Sequence, residues 1–228
     1  MKKTLTTASV LAGLIISFAV TANSNGIHLD HSNADINDQK SLQNGAQLFM
    51  DYCSGCHSIS LMRYNRIGED LNIPAADVRK NLIFGDGKIG DRITSSLSKK
   101  GAEAWFGTTP PDLSLVSRSK GGDWIYTYLR SFYADKSRPF GVNNSVLKNA
   151  SMPDALWDLK QRKSSAEFDN DVKDIVNFLN YVSEPARLVR VDLGYKVLGF
   201  LLVLLILSYL LKKEYWKDVK YGKWKAKS

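Results

Sequence analysis

Two strongly apolar runs lie near the ends of the chain and are the most uniform part of its hydrophobic pattern. The first is uncharged, and the second contains Lys196 near its start. The first run follows Lys2 and Lys3 and ends at Val20, shortly before Ala22. A basic start, a short apolar core and small residues at a cleavage position are typical of a secretory signal peptide, here residues 1–22. The alternative is an uncleaved transmembrane helix. With either one, we expect the chain that follows to be exported.

The second run, Leu193–Leu211, is followed by a lysine-rich tail. A helix of its 19 residues is about 28 Å long, close to the thickness of the membrane hydrocarbon core. A buried core helix is the alternative, but positions 197–211 leave almost no polar face. Residues 212–228 hold seven lysines, and the positive-inside rule places such a tail in the cytoplasm. We therefore expect a single-pass protein of a bacterial cell membrane, with residues 23–192 in the periplasm.

Between these runs, apolar residues recur at helical spacing in four segments. They predict helices over Asp38–Tyr52, Pro74–Leu82, Asp123–Phe132 and Asp169–Val182. No stretch alternates for long enough to predict a sheet. The segments Gly85–Gly122 and Ala134–Ser165 remain as long loops, which are uncommon in a compact domain unless a function orders them. The expected fold class is mostly α, with long loop insertions and one C-terminal transmembrane helix.

The net charge of +8 would suit nucleic-acid binding, but the excess charge lies at the two ends of the chain. Residues 23–195 hold 21 basic and 21 acidic side chains, so the body has no basic surplus for phosphate contacts. With 44% hydrophobic and 24% charged residues, the chain is not of the disordered class. Two cysteines are too few for a disulfide scaffold.

Both cysteines of the chain lie in the motif Cys53-Ser54-Gly55-Cys56-His57. This C-x-x-C-H pattern is typical of covalent attachment of a c-type haem. Two thiols at this spacing can form thioether bonds to one haem, and the adjacent imidazole can bind the iron. The alternatives are a thiol–disulfide redox motif, half of a zinc site and a structural disulfide. A thiol–disulfide motif is expected in a βαβ pattern, which the sequence lacks. A zinc site would need a second cysteine pair, which is also missing. A structural disulfide would leave His57 without a role.

A second axial ligand would come from His28, His31, Met50, Met62 or Met152. Met50 and Met62 flank the attachment motif and are expected on its own side of the haem. Met152 lies in a loop ahead of the last helix of the body, which favours it as the distal ligand. The alternative at this position is an ordinary core methionine.

Several further motifs accompany the C-x-x-C-H pattern in a fixed order. They are Gly45-Ala46-Gln47-Leu48-Phe49, Met62-Arg63-Tyr64-Asn65-Arg66, Pro110-Pro111-Asp112-Leu113-Ser114, Gly121-Gly122-Asp123-Trp124, Ser151-Met152-Pro153 and the segment 178–185. By these motifs the chain resembles the cytochrome c1 family, the haem subunits of the ubiquinol–cytochrome c reductase (cytochrome bc1) complex. The resemblance covers nearly all of the chain after residue 22 and implies a c-type cytochrome domain with one covalently bound haem c.

The resemblance also implies roles for individual residues. Haem attachment falls to Cys53 and Cys56, and axial ligation of the iron falls to His57 and Met152. In this family, basic and aromatic residues near the haem propionates follow the Pro-Pro-Asp-Leu-Ser segment. Arg118, Lys120 and Trp124 occupy the matching region here.

The function implied by the resemblance is electron transfer, with no residue of this chain acting as a catalytic acid or base. The expected donor is the Rieske iron–sulfur protein, and the expected acceptor is a c-type cytochrome. The cytochrome b subunit would be the membrane partner, and the complex would be dimeric. The alternative is a monohaem c subunit of another membrane-bound respiratory complex, such as a terminal oxidase.

Four acidic side chains cluster at the start of the last predicted helix of the body, and they allow two interpretations. They are Glu167, Asp169, Asp171 and Asp174. Such a cluster can dock a basic acceptor protein. It can also complement the dipole of the helix that it begins.

Overall fold

The computed structural model of the protein describes residues 27–222, and more than half of these residues are helical. In chain order the elements are α1 (Gln39–Tyr52), β1 (Ile59–Arg63), α2 (Tyr64–Asp70), α3 (Ala75–Asp77), a π-helical turn (Val78–Leu82), β2 (Arg92–Ile93), α4 (Lys99–Phe106), α5 (Val116–Lys120), α6 (Gly122–Arg130), β3 (Phe132–Ala134), β4 (Val142–Asn144), α7 (Trp157–Arg162), α8 (Ser165–Ser183) and α9 (Arg187–Lys220). The expectation of a mostly α protein is confirmed.

The centre of the body is the contact between α1 and α8. Phe49 of α1 is fully buried, and its ring centroid lies 5.6 Å from that of Phe178 on α8. Gly45 lies where the two helices come closest, and a Cβ atom there would overlap the backbone carbonyl of Asp174. Glycine is therefore required at this position by the approach of a second backbone, since even one methyl group would separate the helices.

Both central helices begin at a side-chain cap. The Asp38 carboxylate accepts a hydrogen bond from the backbone N–H of Ser41 at the start of α1. At the start of α8, Ser164 and Glu167 form a reciprocal capping box. This box explains why α8 begins at Ser165, earlier than the predicted Asp169: the capping residues precede the first strongly apolar positions.

The structure contains two short antiparallel strand pairs that the sequence did not predict. Strand β1 pairs with β2, with Ile59 opposite Ile93, and β3 pairs with β4, with Tyr133 opposite Asn143. Strands of two to five residues are too short to show a period of two. Their pairing depends on contacts between segments that are distant along the chain.

The two predicted long loops also contain regular structure. The segment 85–122 includes β2, α4 and α5, and the segment 134–165 includes β4 and α7. The predicted helix Pro74–Leu82 is divided into α3 and a π-helical turn, and α6 ends at Arg130 so that Phe132 can begin β3. These elements are short strands or short helices of at most eight residues in the two segments, and they are held by their neighbours more than by their own periodicity.

Helix α9 is the longest described helix, with 34 residues. Among residues 27–222 it is the helix that is long and apolar enough to cross a membrane, and its most apolar window makes no buried contact with the body. It includes the predicted span 193–211 and continues beyond it at both ends. The structure therefore agrees with a C-terminal transmembrane helix. The predicted signal peptide lies outside the described residues.

A buried asparagine organises the irregular segment that follows β4. Asn144 is fully buried, and its Nδ2 donates a hydrogen bond of 2.8 Å to the carbonyl of Tyr128 in α6. Its Oδ1 accepts from the backbone N–H groups of Val146 and Leu147 at 2.9 and 3.1 Å. One side chain thus holds the turn after β4 against α6.

The same segment is held at its far end by two further side chains. Asn143 Oδ1 accepts a hydrogen bond of 2.8 Å from the backbone N–H of Asn149. Arg138 donates to the carbonyls of Asn149 and Ala150 at 2.9 and 3.4 Å. Asn149 has a φ of 64°, a left-handed conformation that asparagine tolerates better than most residues. We call residues 145–152 the distal loop.

We expect Gly45→Ala to lower the free energy of unfolding by about 2 kcal/mol or more, because the added methyl group overpacks the α1–α8 contact. Gly90→Ala is the matched control, since a Cβ atom at Gly90 would meet nothing within 4 Å. Urea denaturation of the detergent-solubilised full chain, followed by circular dichroism, measures both effects. Equal stability of the two variants would contradict the assigned close approach.

We expect Asn144→Leu to lower the free energy of unfolding by about 2–4 kcal/mol, because the N–H groups of Val146 and Leu147 lose their acceptor and the Tyr128 carbonyl loses one of its two donors. The control is Asn37→Leu, where the exposed side chain bonds only to the nearby Asp35 and the change should cost under about 0.5 kcal/mol. The same denaturation assay applies. A stability loss at Asn37 equal to that at Asn144 would count against the role given to the buried amide.

Candidate functional site

The C-x-x-C-H motif lies in a tight turn at the end of α1. The carbonyl of Phe49 accepts from the backbone N–H groups of both Cys53 and Ser54, each at 2.9 Å. The carbonyl of Cys53 then accepts from the N–H groups of Cys56 and His57 at 3.1 and 2.8 Å. The turn brings both thiols and the imidazole to one cavity. The sequence predicted helix α1 and the role of the motif, but not the turn itself.

That cavity has a volume of about 480 Å³, within the range of about 300–1,000 Å³ that is usual for ligand and cofactor sites. Its walls are formed by the end of α1, the segment 108–116, helices α6 and α8, and the distal loop. Side chains from these parts include Cys53, Cys56, His57, Pro110, Pro111, Leu113, Trp124, Tyr128, Leu129, Met152, Ile175 and Leu179. Most of this lining is apolar, so a large apolar group could be enclosed and kept away from water.

The orientation of His57 is set by the Pro-Pro-Asp segment. Its Nδ1 donates a hydrogen bond of 2.8 Å to the carbonyl of Pro111, which leaves the lone pair on Nε2 available. Burial lowers the pKa of His57, although the bond to Pro111 and the charge of Asp112 act in the opposite direction. A neutral imidazole with one nitrogen held by a backbone carbonyl is the form that binds a metal.

The Pro-Pro-Asp segment is itself fixed to the turn and to β1. Asp112 accepts from the backbone N–H groups of Ser60 and Ser114 at 3.0 and 2.8 Å, and the N–H of Leu113 donates to the carbonyl of Ser58 at 2.8 Å. Burial acts to raise the pKa of Asp112, but its hydrogen bonds with Ser114 and Ser60 outweigh burial and lower the pKa. The support behind His57 therefore stays ionised and in place.

Met152 reaches the same cavity from the distal loop. Its sulfur lies 3.5 Å from the hydroxyl oxygen of Tyr128 on α6, and the Tyr128 ring is stacked on Trp124 with centroids 5.0 Å apart. Burial raises the pKa of Tyr128 to about 12, so the hydroxyl keeps its proton at neutral pH and can donate to the thioether.

The other four candidates for a second axial ligand lie elsewhere. Met50 and Met62 are buried in the core, 2% and 3% exposed, and are not in the cavity lining. His31 bonds to Asp123 at 2.8 Å, and His28 is exposed and also outside the lining. Of the five candidates, the structure places Met152 in the cavity.

Two of the three residues predicted near the haem propionates reach the cavity. Lys120 and Trp124 line it, with the Lys120 ammonium 5.4 Å from the Trp124 ring centroid. Arg118 is not part of that lining. Its guanidinium lies 3.8 Å from the Glu184 carboxylate, in a neighbouring polar cleft of about 590 Å³ that Lys120 and Trp124 also line.

The structure also weighs against two alternative interpretations of the motif. Burial, with a smaller contribution from Cys56, raises the pKa of Cys53 to about 12, whereas a redox-active thiol has a lowered pKa. Within residues 27–222, no group of three or more His, Cys, Asp or Glu side chains is placed to hold a metal ion, which removes the support for a zinc site.

The four acidic residues at the start of α8 have intramolecular partners. Glu167 belongs to the capping box, Asp169 pairs with Arg130 at 2.7 Å, Asp171 pairs with Lys163, and Asp174 accepts from Ser41 and Asn44 at 2.6 and 2.8 Å. Only Glu167 lies in the first turn of the helix. The helix-dipole interpretation holds for that residue, and the other three carboxylates tie α8 to its surroundings.

Two contributors to the site were not identified from the sequence. The Pro111 carbonyl was missed because a backbone acceptor has no sequence signal of its own. Tyr128 was placed on the apolar side of a predicted helix, four residues after Trp124, and that spacing could have indicated that both rings face the same cavity.

Comparison with known proteins agrees with this site. The model of the Cytochrome C1 family matches residues 31–219. Cytochrome c1 of Allochromatium vinosum is 46% identical over 90% of this chain and 96% of that protein. A protein of Nitrosomonas europaea named ammonia monooxygenase gamma subunit is 40% identical over 92% of this chain and 97% of its own length. Cytochrome c1 of Rhodospirillum rubrum is 28% identical over 94% and 97%.

The match extends over the whole cavity, from the turn after α1 to the distal loop and α8, and onward through most of α9. Paired thiols, an oriented neutral imidazole, a thioether and an apolar wall are the groups that a covalently attached haem requires. The chain therefore belongs to the cytochrome c1 family, a haem-bearing family of electron-transfer subunits, and carries one covalently bound haem c.

Proposed function

We propose that this chain is the haem subunit of a ubiquinol–cytochrome c reductase, with haem c held by Cys53, Cys56, His57 and Met152. The observation that carries the proposal is the convergence of these four side chains, from two distant parts of the chain, on one apolar cavity. The two thiols supply the thioether bonds, and His57 and Met152 supply the axial ligands of the iron.

This ligand set suits electron transfer. Bound in the cavity, the haem supplies a one-electron iron couple, and ligands on both axial positions leave no open site for a substrate. The thioether of Met152 favours a high reduction potential. The apolar wall acts in the same direction, because burial disfavours the additional positive charge of the oxidised iron. Burial keeps His57 neutral and the Pro111 carbonyl orients its ring, and no residue of the chain has to act as an acid or base.

The partners follow from the family and from the anchor. We infer that the chain accepts an electron from the Rieske iron–sulfur protein, passes it to a c-type cytochrome, and contacts cytochrome b through α9 in a dimeric complex. The lysine-rich stretch after the span supports a cytoplasmic C-terminus, which leaves residues 23–192 in the periplasm after removal of 1–22. We assign Lys120 and Trp124, which line the cavity, to the haem propionates, whereas Arg118 lies outside that lining beside Glu184.

A subunit of another membrane complex is the second candidate, and one observation favours it. The relative from Nitrosomonas europaea carries the name of an ammonia monooxygenase subunit, although it matches nearly the whole chain. Purification of the tagged chain in mild detergent, followed by reduced-minus-oxidised spectra, separates the two candidates. Co-purifying b-type haem with an iron–sulfur signal supports the reductase. A c-type signal without b-type haem or an iron–sulfur signal would count against the reductase.

We expect the double variant Cys53→Ala/Cys56→Ala to lose all haem from the denatured polypeptide, because both thioether bonds are then absent. Haem staining of a denaturing gel measures this loss. Ser54→Ala is the control, since it alters the same turn and leaves both thiols in place. Haem that stays covalently bound to the double variant would contradict attachment through this motif.

We expect Met152→Leu to retain covalent haem but to bind carbon monoxide in the reduced state, because leucine has no donor atom for the iron. The measurement is the absorption change on addition of carbon monoxide to the reduced full chain. Met62→Leu, a buried methionine outside the cavity, is the control and should not respond. A Met152→Leu protein that remained inert to carbon monoxide would rule out Met152 as the distal ligand.

A further inference from the structure

The hydroxyl of Tyr128 is directed at the one thioether sulfur that lines the cavity. The distance from Oη to Sδ of Met152 is 3.5 Å, which is within reach of a hydrogen bond to the large, weakly accepting sulfur atom. The two residues come from different parts of the body, Tyr128 from α6 and Met152 from the distal loop. Their contact therefore depends on the tertiary structure and not on a local turn.

Tyr128 is held on three sides, so the position of its hydroxyl is well defined. Its ring lies nearly parallel to Trp124, with an interplanar angle of 8°, and meets the edge of Phe132 with centroids 5.3 Å apart. Its backbone carbonyl accepts the hydrogen bond from Asn144, the residue that also anchors the start of the distal loop. The donor and the loop that carries the acceptor are thus built on one framework.

We propose that Tyr128 is a positioning residue that donates a hydrogen bond to the Met152 thioether and so adjusts its strength as an iron ligand. The proposal rests on the proposed function, because it requires Met152 to be an axial ligand. A hydrogen bond withdraws electron density from the sulfur atom. Oxidised iron depends more on that density than reduced iron does, so the bond disfavours the oxidised state and raises the reduction potential.

The same reasoning predicts that, in the oxidised protein, the bond between the iron and the Met152 sulfur is weaker than it would be without the hydrogen bond from Tyr128. An external ligand such as imidazole must displace Met152 to bind, and a weakened bond makes that displacement easier. The potential and the imidazole affinity are therefore two independent readouts. Neither would change if Tyr128 only filled space beside the sulfur, since phenylalanine would fill it equally well.

The test uses Tyr128→Phe in the full, haem-loaded chain in detergent. We expect its equilibrium constant for oxidation by a reference redox mediator to rise by about two- to fivefold, a change comparable to the net free energy of one hydrogen bond. Imidazole binding to the oxidised protein should weaken by a similar factor. The sulfur-to-iron charge-transfer band in the near infrared should move as well. The control is Tyr126→Phe, because the Tyr126 ring contacts Arg130 at 4.7 Å and lies outside the cavity lining.

A potential and an imidazole affinity that are unchanged in Tyr128→Phe would overturn the proposal, and so would a shift of either in the opposite direction. If Tyr128→Phe does not fold, the test is made with 3-fluorotyrosine at position 128, which keeps the ring and is a stronger hydrogen-bond donor than tyrosine. It should raise the potential, and no rise would overturn the proposal. Met152→Leu separates the ligand assignment from the role of Tyr128. If Met152→Leu leaves the potential and the charge-transfer band unchanged, the assignment of Met152 as a ligand fails. If Met152→Leu loses the band while Tyr128→Phe changes neither the potential nor the imidazole affinity, only the role of Tyr128 is rejected.

Discussion

The close approach of α1 and α8 at Gly45 is the constraint on which the rest of the body depends. It buries Phe49 against Phe178 and fixes the direction in which α1 ends. The C-x-x-C-H turn begins at that end, and α8 supplies Ile175 and Leu179 to the wall of the same cavity. Because one helix carries the attachment motif and the other forms a wall, their separation sets the width of the haem site. A side chain at Gly45 would change both.

Polar side chains, and not long secondary-structure elements, hold the parts of the site that come from loops. Asn143 and Asn144 bond to the backbone of the distal loop, and Asp112 bonds to the backbone around the Pro-Pro segment. The buried amides of Asn143 and Asn144 define their loop as firmly as a ladder of backbone bonds does, because breaking their hydrogen bonds leaves polar groups buried without partners. The proposed axial ligands His57 and Met152 are therefore presented by loops that hydrogen bonds hold in place.

Charge is arranged so that the cavity itself stays apolar. The carboxylates of α8 pair with Arg130 and Lys163 at the surface of the helix bundle, and Arg118 faces Glu184 outside the haem cavity. Lys120 and Lys148 are the lysines of the lining, and Lys120 lies beside the aromatic pair Trp124 and Tyr128. A low-polarity wall with two cations suits a cofactor with an apolar ring and acidic substituents, and it supports the high potential expected from methionine ligation.

The attachment motif, the anchor and the main helices were predictable from the sequence because each is local. Cys53, Cys56 and His57 are adjacent, the apolar run at 193–211 is continuous, and α1, α6 and α8 show helical periodicity over several turns. The choice of Met152 over the other candidates was also available from its place in the chain. These features depend on residues that are neighbours in sequence, so pattern and spacing are sufficient.

Contacts between distant segments were decided only by the tertiary structure. The pairing of β1 with β2, the bond from His57 to Pro111, the framework around Asn144 and the contact of Tyr128 with Met152 each join residues that share no local pattern. For the same reason Lys120 lines the haem cavity and Arg118, two positions earlier, does not. A linear pattern does not encode the geometry on which hydrogen bonds to backbone groups and side-chain packing across the body depend. The chemistry of the site could therefore be predicted from the sequence, but its geometry could not.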